Sequence, residues 1–161
     1  MLVLGIDPGI GRCGWGLIES VNGRFKLIDC GCVETQIKGD VEKRLLQIDS
    51  EIEQIIKKYK PNVLSIEDLF FGNNSTTAFA VGQARGVVLL LAGKYRLPVS
   101  VYNPMEVKLA LTGYGKAEKG QVAQMVKAIL KLEKLPKLDD TTDALAIALT
   151  HAFSSKMKSV Q

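Results

Sequence analysis

The chain is poor in the residues that bind zinc or form disulfide bonds. Its 161 residues include one histidine, His151, and three cysteines, Cys13, Cys30 and Cys32. A structural zinc site needs about four ligands, and His151 lies far along the sequence from the cysteines. An odd number of cysteines without an export signal also speaks against a disulfide framework. We therefore expect reduced thiols and no zinc.

Long apolar runs and targeting signals are also missing. The longest apolar stretches, such as 87–93, fall short of the roughly 20 residues that a membrane-spanning helix needs. The N-terminus runs directly into Leu-Val-Leu-Gly-Ile-Asp, without the basic start and cleavage site of a secretory signal. No repeat or linker divides the sequence, and its length suits one core. We expect a soluble single domain over residues 1–161, in the cytoplasm.

Apolar periodicity and turn residues predict an α/β fold. Asn22-Gly23 between two apolar runs is a strong hairpin signal, and helices and strands alternate after residue 40. The predicted strands are Leu2–Asp7, Gly14–Glu19, Arg24–Thr35, Val63–Glu67 and Pro98–Tyr102, and the predicted helices are Asp40–Tyr59, Ser75–Tyr95, Met105–Leu111, Lys119–Leu132 and one that starts near Asp140. This order predicts a mixed five-stranded sheet, antiparallel in its first three strands, with helices on its faces.

Four carboxylates stand where predicted strands end or a predicted helix begins. Asp7 ends the first strand and Glu67 ends the fourth. Asp140 and Asp143 are three residues apart, on one face of the last helix. Hard divalent cations such as Mg²⁺ prefer oxygen ligands, and two ions about 4 Å apart can assist phosphodiester hydrolysis. The pattern predicts a metal-dependent nuclease site at the sheet edge.

Each acid also has a purely structural interpretation. Asp7 before Pro8-Gly9 suits a turn, and Asp140 with Asp143 suits a helix cap and a favourable first-turn charge. Glu67 is the hardest to explain in this way, because it ends an apolar run where an unpaired carboxylate is costly to bury. The pattern by itself leaves both interpretations open.

Basic and aromatic residues are less specific signals for DNA binding. The net charge of +4 and the pI near 8.9 permit a nucleic-acid partner without requiring one. Phe70 and Phe71 closely follow Glu67, and one of them could stack on an unpaired base while the other packs in the core. Exposed lysines are usually only solvated. The basic residues that could approach phosphates are Arg85, Lys108, Lys116 and Lys119.

Five short motifs are distributed over nearly the whole chain. They are Gly5-Ile6-Asp7-Pro8-Gly9, Ile66-Glu67, Gly82-Gln83-Ala84-Arg85-Gly86, Ala117-Glu118-Lys119 with Gln121-Val122, and Asp140-Thr-Thr-Asp143-Ala-Leu-Ala. Together, in this order and spacing, they resemble the RuvC family of bacterial Holliday junction resolvases. The opening turn alone is weak evidence, because sugar kinases and actin-like ATPases begin similarly.

The resemblance implies an RNase H-like fold, a homodimer, and Mg²⁺-dependent nicking of two opposing strands of a four-way DNA junction in recombination and repair. One or two metal ions per subunit, with Mn²⁺ as a substitute, would be held by the family's catalytic acids, which match Asp7, Glu67, Asp140 and Asp143. Phe70 matches the aromatic residue inserted among bases at the crossover. Lys108 and Lys119 match residues used on the DNA backbone. The family usually works with a two-protein branch-migration complex.

Two further features concern DNA contacts and the dimer. Asn73 and Thr76 stand where the family often has lysines, which weakens the case for phosphate contacts from that loop. The helix with Gly82 and Gly86 presents small residues that allow close approach, so it is our candidate for the dimer surface. A plain core helix explains the same glycines equally well.

Three other functions compete with the resolvase interpretation. An ATP-using phosphotransferase would share the opening turn, but it needs a second lobe that this length does not supply. A module that binds branched DNA without cutting it would use the acids only as caps and turns. A related nuclease could share the fold and metal site while acting on an RNA–DNA hybrid.

Overall fold

A five-stranded mixed sheet forms the centre of the protein. The computed structural model describes residues 1–68 and 75–158, without the side chains of 75–77 and 156–158. The strands are β1 (Leu2–Asp7), β2 (Arg12–Val21), β3 (Arg24–Glu34), β4 (Val63–Glu67) and β5 (Val99–Tyr102), in the order β3-β2-β1-β4-β5. The pairs β1–β2 and β2–β3 are antiparallel, whereas β1–β4 and β4–β5 are parallel. The predicted mixed sheet is confirmed.

The helices agree with the predicted ones to within a few residues. They are α1 (Val41–Tyr59), α2 (Ser75–Lys94), α3 (Pro104–Thr112), α4 (Lys119–Ile129) and α5 (Asp139–Lys158). Asp40 stands at the N-cap of α1, as predicted, but its side chain makes no cap hydrogen bond there. No helix within residues 1–68 and 75–158 combines the length and apolarity needed to cross a membrane.

Two boundaries differ from the sequence prediction for identifiable reasons. Strand β2 begins at Arg12 instead of Gly14, because its pairing with β3 continues to Arg12 opposite Glu34. Helix α4 ends at Ile129 instead of Leu132, and Lys131 has a left-handed φ of 53°. The apolar period therefore continues for three residues beyond the helix that it predicts.

Apolar side chains form a core on each face of the sheet. On one face, Ile48 and Ile52 of α1 and Ala84 and Val88 of α2 pack with the inward residues of β1 and β4. On the other face, α5 packs with α3 and α4, and Leu145 and Leu149 lie among their buried side chains. Burial on both faces explains why β4 carries only apolar residues and the small Ser65 before its last residue, Glu67.

Helix α5 lies unusually close to the sheet because glycines face it. A Cβ atom on Gly5 of β1 would lie 2.1 Å from the carbonyl oxygen of Ala144, and one on Gly14 of β2 would lie 2.1 Å from that of Asp140. Real side chains do not tolerate such distances, so only glycine permits this approach. The contact brings the first turn of α5 to the end of β1 where Asp7 lies.

The three cysteines lie on the paired strands β2 and β3. Cys13 is buried, whereas Cys30 and Cys32 are half-buried, and all three are free thiols. Cys30 and Cys32 stand opposite Gly16 and Gly14, on the same face of β3, as their spacing predicts. Burial raises the pKa of Cys13 to about 12, so this thiol is uncharged at neutral pH.

Candidate active site

The four predicted acids lie together at one edge of the sheet. Asp7 is the last residue of β1 and Glu67 the last of β4, and these parallel strands are neighbours that pair Ile6 with Ile66. Asp140 and Asp143 lie in the first two turns of α5. Asp7 experiences the charges of the other three acids, so all four share one electrostatic environment.

Burial and mutual repulsion make these carboxyls hard to ionise. The pKa of Asp7 is raised to about 8, first by burial and then by the charges of Glu67, Asp143 and Asp140. Burial also raises the pKa values of Glu67, Asp140 and Asp143. Asp7 is therefore mostly protonated at neutral pH unless another positive charge reaches it.

The donor set fits a hard divalent cation. Asp140 Oδ2 is buried and has no hydrogen-bond partner among the described residues, although Arg12 Nη1 lies 3.8 Å away. An acceptor buried in this way is costly, and a cation would satisfy it. Four carboxylates supply oxygen ligands, which suit Mg²⁺ or Mn²⁺ better than zinc.

The carboxylates do not yet surround one point. Within residues 1–68 and 75–158, no three His, Cys, Asp or Glu side chains have the spacing of a metal site. Like charges repel, and Asp143 is turned to Lys119, whose Nζ lies 2.7 Å from Asp143 Oδ2. Cation binding by all four acids therefore requires side-chain adjustment.

Lys119, the first residue of α4, is shared by two acids. Its Nζ lies 2.8 Å from Asp139 Oδ2 as well as 2.7 Å from Asp143 Oδ2. Burial lowers the pKa of Lys119, but hydrogen bonds to Asp139 and Asp143 raise it more, so that the net pKa lies above its ordinary value. The ammonium is therefore a permanent positive charge beside the acids.

The other predicted DNA-binding residues have different surroundings. Lys108 and Lys119 both line a cavity of about 240 Å³ that also contacts Glu67 and Asp143. Lys116 is exposed in the loop before α4 and does not line this cavity. Phe70 and Asn73 lie outside the described residues, as does the side chain of Thr76, so the predictions for them stay predictions.

Arg85 contacts the end of β4. Its Nε donates a hydrogen bond of 3.3 Å to the carbonyl oxygen of Glu67, and its Nη2 lies 3.9 Å from Asp68 Oδ1. The side chain is only 16% exposed. In this position Arg85 stabilises the backbone that carries Glu67, and a contact with DNA stays a prediction.

Sequence reasoning missed two charged residues beside the acids. Arg12 pairs with both Glu34 and Asp140, and Asp139 pairs with Lys119. Two features of the sequence could have drawn attention to these residues. Arg12 follows Asp7 by only five residues, and Asp139 directly precedes Asp140. Neither signal identifies a partner, because Arg12 and Asp140 are more than a hundred residues apart in the chain.

Fold and site together define a class of protein. A sheet of order β3-β2-β1-β4-β5, with acids at the ends of β1 and β4 and at the start of the last helix, is the arrangement of nucleases with an RNase H-like fold. Comparison with known sequences identifies the family within this class of nucleases. The family described as crossover junction endodeoxyribonuclease RuvC matches residues 3–151.

Relatives of that family cover almost all of the chain. The RuvC of Desulfitobacterium hafniense strain DCB-2 is 51% identical over 154 residues, which cover 96% of this chain and 93% of the relative. That of Petrotoga mobilis is 48% identical over 151 residues, covering 94% and 93%. The chain therefore belongs to the RuvC family of crossover junction endodeoxyribonucleases, as its motifs predict.

Solved structures confirm the RNase H-like fold. Thermus thermophilus RuvC, in complex with a Holliday junction substrate, superposes with a TM-score of 0.94 at 38% identity, covering 98% of this chain and 96% of that one. The yeast mitochondrial Holliday junction resolvase gives a TM-score of 0.67 at 13% identity, covering 98% and 82%, and shows likeness of fold alone. Family membership sets aside the phosphotransferase and the non-cutting module, because the family is one of nucleases.

Proposed function

We propose that this protein resolves four-way DNA junctions by nicking two opposing strands through metal-dependent phosphodiester hydrolysis. The observation that carries the proposal is the convergence of Asp7, Glu67, Asp140 and Asp143 at one sheet edge, in a chain whose family match spans residues 3–151. The work of such an enzyme belongs to homologous recombination and DNA repair.

The four acids would hold one or two Mg²⁺ ions, and Mn²⁺ would serve as a substitute. When bound, the cation supplies activation of water and stabilisation of negative charge on the phosphate. Asp7, with its raised pKa, must lose its proton to become a full ligand, so cation binding releases a proton at neutral pH. Burial around Asp7 excludes bulk water and strengthens every charge interaction there.

Positive and aromatic side chains would hold the DNA. Lys108 and Lys119 line the cavity beside Glu67 and Asp143, where a phosphate next to the scissile bond would meet them. Lys116 and Arg85 are weaker candidates, Lys116 because it does not line that cavity and Arg85 because it already binds the carbonyl oxygen of Glu67. Phe70 would stack on a base at the crossover.

The substrate is tested by incubating the unaltered protein with a synthetic four-way junction, a matched linear duplex and an RNA–DNA hybrid. We expect paired nicks at symmetrical positions of the junction only, with Mg²⁺ and not with chelator. Tight junction binding without any cut would contradict the proposed function. Cleavage of the hybrid alone would keep the metal site and overturn the substrate.

A homodimer would match the two-fold symmetry of a four-way junction, since two active sites then meet two equivalent strands. The exposed face of α2 supports this arrangement. Phe79 and Leu90 are 70% and 69% exposed, and a Cβ atom on Gly86 or Gly93 of the same face would meet nothing within 4 Å. Exposed apolar side chains beside glycines suit close helix contact with a second copy.

Leu90→Lys is therefore expected to convert a dimer to a monomer without unfolding it, because a lysine in a buried apolar contact lacks a partner. Sedimentation equilibrium would measure the change. Leu109→Lys, which alters a 55% exposed leucine of α3, is the matched control and should leave the dimer intact. An unchanged mass in Leu90→Lys would remove α2 from the interface.

The family also suggests the domain organisation, the cellular location and the partner proteins. Residues 1–161 would act as one nuclease domain, in the cytoplasm, where bacterial DNA is accessible to it. A two-protein branch-migration complex would deliver the junction. Co-purification with these two proteins in the presence of a junction is the measurement that tests this partnership.

A further inference from the structure

Lys119 is held between a candidate cation ligand and an acid outside the ligand set. Asp143 Oδ2 and Asp139 Oδ2 lie 2.7 Å and 2.8 Å from its Nζ. Both carboxylate oxygens of Asp139 have a partner. Oδ2 contacts Lys119, and Oδ1 accepts a 3.2 Å hydrogen bond from the backbone N–H of Asp140. Lys119 therefore has two ordered partners, one turn apart on α5.

Asp139 differs from the four central acids in its surroundings. Its side chain is 63% exposed, whereas that of Asp143 is 31% exposed. Asp7 and Glu67 both experience the charges of Asp143 and Lys119, whereas Asp139 acts on its neighbours in α5, Asp140 and Asp143. Asp139 thus lies at the rim of the cluster, on the side of Lys119.

An ammonium and a divalent cation compete for Asp143. While Lys119 contacts Asp143 Oδ2, a second positive charge at that oxygen is repelled. If Asp143 were the sole partner, freeing it would leave the ammonium unpaired beside other acids. With Asp139 present, Lys119 leaves Asp143 and keeps an ion pair, so the carboxylate is released at smaller cost.

We propose that Asp139 is a positioning residue that holds Lys119 when Asp143 turns to the divalent cation. Its action is indirect, since its carboxylate contacts Lys119 and the backbone N–H of Asp140 and not the reacting atoms. It also keeps the ammonium at the wall of the cavity formed with Glu67 and Lys108, where a phosphate would lie. The inference rests on the proposed function, because it concerns the same cation site.

The test is a double-mutant cycle read by Mn²⁺ binding to the DNA-free protein, measured by electron paramagnetic resonance. Asp139→Asn is expected to weaken Mn²⁺ binding about fivefold, because Lys119 then pairs with Asp143 alone. Lys119→Gln should strengthen binding by removing the competitor. In the Lys119→Gln background, Asp139→Asn should cause a clearly smaller loss, because only the direct effect of the Asp139 charge on Asp140 and Asp143 remains.

Two comparisons separate this mechanism from a general charge effect. Glu133→Gln removes one charge from an exposed position of the loop before α5 and should leave the affinity unchanged. Asp139→Glu should restore most of the binding lost in Asp139→Asn. Equal losses in both backgrounds, or no loss in either, would overturn the role of Asp139.

Failure of the cation site itself gives a different result. If Mn²⁺ binds the unaltered protein and Asp7→Asn equally well, the four-acid site and the proposed function fail together. If binding depends on Asp7 but shows no coupling between Asp139 and Lys119, only the inference about Asp139 fails.

Discussion

Asp7→Asn is expected to abolish junction cleavage, with a loss of rate on the order of a thousandfold or more. Asp7 experiences the charges of Glu67, Asp140 and Asp143 and is the most strongly perturbed acid of the site. The amide keeps the shape of the side chain but removes the charge that a divalent cation needs. Single-turnover cleavage of a labelled junction in Mg²⁺ measures the loss of rate. Glu67→Gln, Asp140→Asn and Asp143→Asn should lose cleavage in the same way.

Junction binding should survive the same change. Removing a negative charge close to phosphates does not weaken the attraction of DNA, so the affinity of Asp7→Asn should be equal or higher. Glu19→Gln is the matched control, because Glu19 is exposed and pairs with Leu2 at the opposite end of β1. Cleavage at the normal rate by Asp7→Asn would exclude Asp7 from the mechanism.

Without divalent cations, the protein is expected to lose stability as the pH rises from about 4 to about 8. The folded-state pKa of Asp7 is raised from 3.8 to about 8, so within this window the folded protein keeps a proton that the unfolded chain has released. Stability then falls with rising pH, by at most about 1.4 kcal/mol per pH unit for this group. The pKa values of Glu67, Asp140 and Asp143 are also raised, so these acids make stability fall with rising pH as well.

Thermal unfolding in chelator between pH 5 and pH 9 measures this loss. Asp7→Asn should be more stable than the unaltered protein at pH 9 and less dependent on pH, because an amide does not ionise. Glu53→Gln provides the contrast, since hydrogen bonds from Lys57 and Lys94 lower the pKa of Glu53 to about 2 and its effect varies with pH only in acid. Parallel curves for Asp7→Asn and the unaltered protein would contradict the raised pKa.

Much of the fold could be predicted because its signals are local. Asn22-Gly23 predicts the β2–β3 hairpin, and both residues adopt the positive φ that this turn requires. The apolar run of β4 ends at Glu67 in the sequence and in the structure. The glycines in α2 suit a core contact as well as an exposed face, and only the open space around Gly86 and Gly93 in the structure distinguishes the two.

The sequence pattern marks the acids of the candidate site more specifically than its basic residues. A carboxylate at the end of an apolar strand is visible in the sequence, whereas an exposed lysine or arginine has no such marker. Arg85, for which a contact with DNA stays a prediction, donates a hydrogen bond to the carbonyl oxygen of Glu67, and nothing in the sequence marks that contact. The ion pairs of Lys119 with Asp139 and Asp143 link α4 to α5, and no pattern within either helix specifies that contact.

By itself, the sequence determined the element types, the position of each acid at an element end, and the family. The element types depend on periodicity and turn chemistry, which act over a few residues, and the family depends on the order and spacing of motifs along the chain. Only the tertiary structure decided that Asp7 and Asp143 share one environment, that burial raises the pKa of Asp7, and that Lys119 lies between two carboxylates. Burial and charge interactions depend on distances between residues far apart in the chain, and those distances exist only after α5 has packed against Gly5 and Gly14.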